Sequence, residues 1–127
     1  MKQLFLVVLG SGVGGGARYL VAGWFIQSFG VRFPFGTIAI NAIGSLLIGV
    51  IMHLGLSTNL IGADMRIALT TGALGGFTTY STFNYETISF FQQGALLLGT
   101  LNIAVTVVLC LFAGAGGLLL GRWLVAI

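Results

Sequence analysis

The side chains best able to handle a small ion are concentrated in residues 72–86, GALGGFTTYSTFNYE. Phe77, Thr78, Thr79, Tyr80, Ser81, Thr82, Phe83 and Asn84 directly follow Gly75-Gly76, inside a run otherwise apolar enough for one membrane helix. We read the glycine pair as an interruption of that helix. Irregular backbone at bilayer depth persists only when buried in protein or facing a cavity, so a broken span points to a substrate or ion site. The same composition also suits a Gly/Thr-rich packing face between helices. A helix end leaves carbonyl oxygens unpaired, and those of Gly75 and Thr78 are placed to coordinate a hard cation. Tyr80 and Phe83 are three apart and share a face if the helix resumes. Their electropositive ring edges suit an anion.

Other polar groups lie elsewhere in the apolar chain. Asn41 has Gly44, Ser45 and Gly49 on neighbouring turns, and its two amide donors fit either an anion or an adjacent helix. Asn102, Thr106 and Cys110 recur at i, i+4 and i+8, as a lining track or as glue between helices. Arg18 and Glu86 are ionisable groups inside apolar spans, functional by default unless they pair with each other. His53 near a helix end reads as interfacial, and Trp24 and Trp123 suit aromatic belts. The chain has neither a basic cage for phosphate nor a ring of carboxylates for cations. Amide and hydroxyl donors beside phenyl rings remain, and they indicate a small-ion path.

Composition sets the scaffold that must position these groups. The chain is 57% hydrophobic and 6% charged, with a mean hydropathy of +1.11. Soluble domains carry roughly a quarter charged residues, so this is an integral membrane protein. A net charge of +3 from scattered basic residues is no nucleic-acid footprint. Cys110 is the single cysteine, which excludes an intrachain disulfide and a cysteine-framed metal site.

A crossing needs about 20 apolar residues, which places spans at roughly 4–29, 37–56, 67–91 and 96–125. The expected fold is all-α: one domain over 1–127 with four transmembrane helices, the third broken near Gly75–Thr79. The short connectors around Pro34, Asp64 and Gln92-Gln93-Gly94 leave both termini on one side. The first span lacks a small-x-small cleavage site and reads as a retained helix, not a signal peptide. Lys2, Arg66 and Arg122 lie on the terminal side and Arg32 on the other. The positive-inside bias towards cytoplasmic termini is therefore narrow and permits insertion both ways. GxxxG spacings at Gly10/Gly14 and Gly12/Gly16, with Gly114, Gly116, Gly117 and Gly121 in the last span, suit helix packing within or between subunits.

Gly75-Gly76-Phe77-Thr78-Thr79-Tyr80-Ser81-Thr82-Phe83 closely resembles the GGxTTFSTF signature of the Fluc (CrcB-type) fluoride channels. The resemblance extends over essentially the whole chain: Gly10, Gly14 and Arg18; Pro34, Gly36, Thr37 and Asn41; Thr70-Thr71-Gly72; and Glu86. It implies a passive fluoride-selective channel of the inner or plasma membrane, not an enzyme, that lets cells expel fluoride. It also implies an antiparallel dual-topology homodimer with two pores. A central structural sodium ion would be held by the backbone carbonyls of Gly75 and Thr78.

Carried over, Asn41 matches the pore asparagine and Phe83 the second fluoride-contacting phenylalanine. Tyr80 stands in the first phenylalanine's place, retaining a ring edge and adding a hydroxyl. Thr37, Ser81, Thr82, Thr106 and, more roughly, Cys110 complete the expected pore set. Arg18 matches a vestibule arginine and Glu86 the acid after the signature. Gly114 stands where relatives often carry threonine, which implies a shorter track on the last helix.

Two other readings are carried with this one. A small proton-coupled multidrug exporter has the same size, but needs an embedded carboxylate in the first span, and Leu4–Phe29 has none. A structural membrane subunit would need no polar stripe.

Overall fold

The computed structural model describes residues 1–126, all of its regular structure helical. Helix α1 covers Lys2–Phe29 and α2 covers Phe35–Ser57. Short helix α3, Ala63–Ile67, leads into a π-helical stretch, Ala68–Leu74. After it come α4, Gly75–Phe77, then α5, Tyr80–Gln92, and α6, Leu96–Ala126. Helices α1, α2 and α6 are long and apolar enough to cross a membrane. Residues 63–92 are assembled from shorter pieces and bend.

Chain reversals use the residues suited to them. Gly30 closes α1 at φ 75° and Gly94 turns α5 into α6 at φ 74°, conformations that favour glycine. Pro34 immediately precedes α2, where a missing N–H costs no helical bond.

The interruption does not lie at the glycine pair. Gly75 and Gly76 are helical, and the chain becomes extended at Thr78 (φ −77°, ψ 159°) and Thr79 (φ −152°, ψ 110°). Gly76 serves close approach instead, as do Gly10 and Gly14 on α1. A Cβ on Gly76 would overlap the Ser11 carbonyl oxygen, and one on Gly14 would overlap that of Ala73. A Cβ on Gly10 would sit 2.7 Å from the Ala68 carbonyl oxygen. Small residues therefore bring α1 against the π-helical stretch and α4 with almost no space between backbones. Gly12, Gly15 and Gly16 have nothing within 4 Å, so only one of the two GxxxG pairs on α1 packs within the chain. On the far side, Gly49 and Gly117 let α2 and α6 meet backbone to backbone, the most extensive helix pair in the molecule.

Polar contacts tie one end together. Lys2 Nζ lies 2.7 Å from Asp64 Oδ2, and Gln3 Nε2 donates to Oδ1 at 3.2 Å. Hydrogen bonding from Lys2, then from Gln3, holds the Asp64 carboxyl below its ordinary range. Because that value is lowered, the contact is intact near neutrality and loosens only as acid titrates through it. Arg66 Nη1 donates to the Gly55 carbonyl at 2.6 Å and closes the α2–α3 turn. At the other end Trp24, Phe25, Phe29, Phe33, Phe35 and Phe90 form a chain of ring contacts.

Candidate ion site at the interrupted helix

Breaking a helix orphans donors and acceptors, and this break re-pairs them with side chains from two other helices. In an unbroken helix the Thr79 N–H would go to the Gly75 carbonyl and the Thr78 carbonyl would accept from the Thr82 N–H. Here Thr79 N donates to Asn41 Oδ1 at 2.8 Å, and Thr82 N donates to Thr79 Oγ1 at 3.2 Å. Thr79 is thereby the N-cap of α5. Asn41 Nδ2 donates back to the Thr79 carbonyl at 3.0 Å, so one amide grips both ends of residue 79. Arg18 Nη1 donates to the Thr78 carbonyl at 3.1 Å. On its helical side, Thr78 gives both its N–H and its hydroxyl to the Leu74 carbonyl, each at 2.9 Å.

Two clefts flank this clamp. The first, of about 480 Å³, is lined by Asn41, Thr79, Tyr80, Phe83, Thr106 and Cys110, with Gly75 and Thr78 also on its wall. The second, of about 540 Å³, is lined by Thr37, Thr82 and Glu86 beside Arg32, Phe33 and Phe90. The expected pore set is therefore divided between two neighbouring spaces. Thr37 and Asn41 are one turn apart on α2, and Thr82 and Phe83 are adjacent on α5, so the clefts follow one another along the same two helices.

The aromatic pair lies as the spacing predicts. Tyr80 and Phe83 have ring centroids 5.7 Å apart at 55°. Phe83 is buried, whereas Tyr80 is 77% exposed in the single chain.

Other expectations sort differently. Arg18 and Glu86 do not pair. Glu86 Oε1 accepts from Thr37 Oγ1 at 2.7 Å, and its Oε2 is buried without a hydrogen-bond partner among the described residues. Arg18 lines neither cleft but sits on the break itself. Ser81 is exposed, its Oγ 3.3 Å from Thr79 Oγ1, and also lines neither cleft.

Along the α6 stripe the two readings separate by residue. Asn102 is fully buried and donates to Thr87 Oγ1 at 2.9 Å, and Thr87 donates to the Phe83 carbonyl at 2.8 Å. It is glue between α6 and α5, and it fixes the turn that carries Phe83. Thr106 and Cys110 face the first cleft. Thr79 and Thr87 are the site residues that motif reading left without a role. A threonine opening a helix three residues before Thr82 is a recognisable cap signal for the first. Nothing local marks the second.

The freed oxygens also bear on a cation. Among the described residues no group of three His, Cys, Asp or Glu side chains could hold a metal ion. Backbone oxygen is the chemistry a hard monovalent cation needs. The Gly75 carbonyl has lost its helical donor to Asn41. The Thr78 carbonyl already accepts one bond from Arg18, and its second lone pair remains.

A family model described as CrcB-like protein, Camphor Resistance (CrcB), matches residues 5–118. The chain belongs to the CrcB family. Among its relatives, the fluoride-specific ion channel FluC of Sorangium cellulosum (strain So ce56) is 44% identical over 126 residues, covering 99% of each chain. The protein of the same name from Anaeromyxobacter sp. (strain K) is 45% identical over 124 residues, 98% of each chain. That from Geobacter sulfurreducens is 42% identical over 124 residues, 98% of this chain and 100% of its own. The CrcB match contains every residue of the clamp and of both clefts.

Proposed function

We propose that this chain is a passive fluoride-selective channel of the cell membrane, working as an antiparallel homodimer with two pores. The observation that carries the reading is the convergence of Asn41, Phe83 and Thr106 on one cleft beside a helix break. It occurs in a chain that proteins named fluoride-specific ion channels match end to end. The chain is a multi-pass membrane protein.

Residues 67–91 supply the fourth crossing. They follow the connector where Asp64 meets Lys2 and reach Phe90, which stacks on Phe33 with 6.2 Å between ring centroids, at the opposite end of α1. Tyr80, Ser81, Thr82, Asn84 and Tyr85 are all exposed in the single chain. Hydrocarbon offers such groups no partners, which favours their being covered by a second copy. A central sodium ion fits the freed Gly75 carbonyl and the remaining lone pair of Thr78, one pair from each copy.

Fluoride must shed tightly held water to enter a narrow path. Thr82 Oγ1 accepts from Thr79 Oγ1 and keeps its own hydrogen for the approach in the second cleft. Thr37 and Thr106 line the clefts and reach an ion only by releasing Glu86 and Asn102. Asn41 Nδ2 uses one hydrogen on Thr79 and keeps the other for the ion. The edge of the buried Phe83 ring presents partial positive charge without a competing acceptor. Chloride is larger and less tightly hydrated and gains less from these small donors.

Fluoride efflux from liposomes, read with a fluoride electrode and compared with chloride, tests the function. Proton-independent fluoride loss with chloride retained supports it, and pH-driven exchange of a cationic drug would instead establish the exporter. Phe83→Ile keeps the fold and lowers fluoride efflux by about 100-fold, since it exchanges a ring edge for an apolar plug in a path where about 1.4 kcal/mol is each tenfold step. Undiminished efflux would remove Phe83 from the path. Reporter fusions at the C-terminus give signal on both faces of the membrane if the chain inserts in both orientations.

A further inference from the structure

We propose that Arg18 is a positioning residue for the Thr78–Thr79 peptide group, acting from α1 as the counterpart of Asn41 on α2. The inference deepens the sodium reading above and rests on it only for its consequence, not for its geometry. One peptide plane carries both the Thr78 carbonyl and the Thr79 N–H. Each has lost its helical partner, the Thr82 N–H having turned to Thr79 Oγ1 and the Gly75 carbonyl being left behind. With neither helical bond in place, coupled rotation about ψ of Thr78 and φ of Thr79 could turn this plane.

The plane is instead pinned at its two ends. Arg18 Nη1 holds the oxygen at 3.1 Å and Asn41 Oδ1 holds the nitrogen at 2.8 Å. A guanidinium stays charged and makes a stronger bond to a carbonyl than a neutral donor does. Arg18 lies outside both described clefts, and its one hydrogen bond goes to the Thr78 carbonyl. The partner is also well anchored: Gly14, one turn before Arg18, lies directly against Ala73 and Phe77, so α1 cannot slide relative to the break. Arg18 therefore sets the direction of one of the oxygens proposed to hold sodium.

Hydrogen–deuterium exchange decides the assignment, measured residue by residue on the full-length protein in detergent or nanodiscs. In Arg18→Met, which keeps the stem and removes the donors, exchange at the Thr79 amide accelerates on the order of tenfold, as expected for losing one charge-assisted bond. Amides of α6 and of Gly10–Gly14 keep their wild-type rates. Arg18→Lys, with one donor head in place of the planar fork, gives an intermediate rate at Thr79. Unchanged exchange at Thr79 in both variants would overturn the proposal, as would equal acceleration throughout α1, α2 and α6.

Sodium titration of fluoride efflux then reads the consequence. The sodium concentration for half-maximal flux rises in Arg18→Met, and flux recovers at saturating sodium. A faster Thr79 amide with wild-type and variant flux both indifferent to sodium would leave Arg18 as the positioning residue and reject the sodium site.

Discussion

Asn41→Asp abolishes fluoride efflux, by about 100-fold or more, while the protein still purifies as a folded species. The residue does two jobs with one amide. Its Oδ1 accepts from the Thr79 N–H, and its Nδ2 donates to the Thr79 carbonyl at 3.0 Å. A carboxylate keeps the first contact and turns the second into oxygen facing oxygen, leaving a part-buried acceptor unpaired at a cost of about 1–3 kcal/mol. The same change removes the remaining N–H offered to the anion and replaces it with negative charge in the first cleft. Each effect alone lowers flux about tenfold, since about 1.4 kcal/mol is one decade, and both act at the same point. Flux within twofold of wild type would place Asn41 outside the path and make its grip on residue 79 dispensable.

Gly14→Ala is expected to remove most of the folded protein, whereas Gly12→Ala two positions away is tolerated. A Cβ at Gly14 collides with the Ala73 carbonyl oxygen and comes within 2.9 Å of the Phe77 nitrogen, all of it backbone. No rotamer change relieves such an overlap. The helix must move away from the π-helical stretch, at about 3 kcal/mol or more by the standard of overpacked interiors. Moving α1 also withdraws Arg18 from Thr78. Gly12 has nothing within 4 Å and meets no such obstacle in the chain. Thermal melts in detergent read the contrast. Equal melting temperatures for the two variants would show that α1 does not pack on the break as described.

The long spans were legible because bilayer thickness dictates their length: the expected boundaries 4–29, 37–56 and 96–125 differ from α1, α2 and α6 by a residue or two. The break falls within the expected range Gly75–Thr79, at its Thr78-Thr79 end and not at the glycine pair. Gly75-Gly76 looks like a breaker in a single sequence because glycine weakens helices, but Gly76 packs on Ser11 of α1, a contact invisible without the fold. Thr78-Thr79 is extended because Asn41 and Arg18 supply the bonds that the helix gives up, and those residues lie 38 and 60 positions away. The π-helical stretch Ala68–Leu74 carries no composition signal that distinguishes it from ordinary helix. The stripe Asn102, Thr106 and Cys110 was visible from its spacing. Which members face a cleft and which bond α5 depended on where Thr87 falls.

Both hands of the clamp, Arg18 and Asn41, precede the segment they hold. Synthesis therefore presents both side chains before the polar stretch around Thr78-Thr79 whose freed backbone groups need them. The order of synthesis thus matches the order in which the break's hydrogen bonds need their partners.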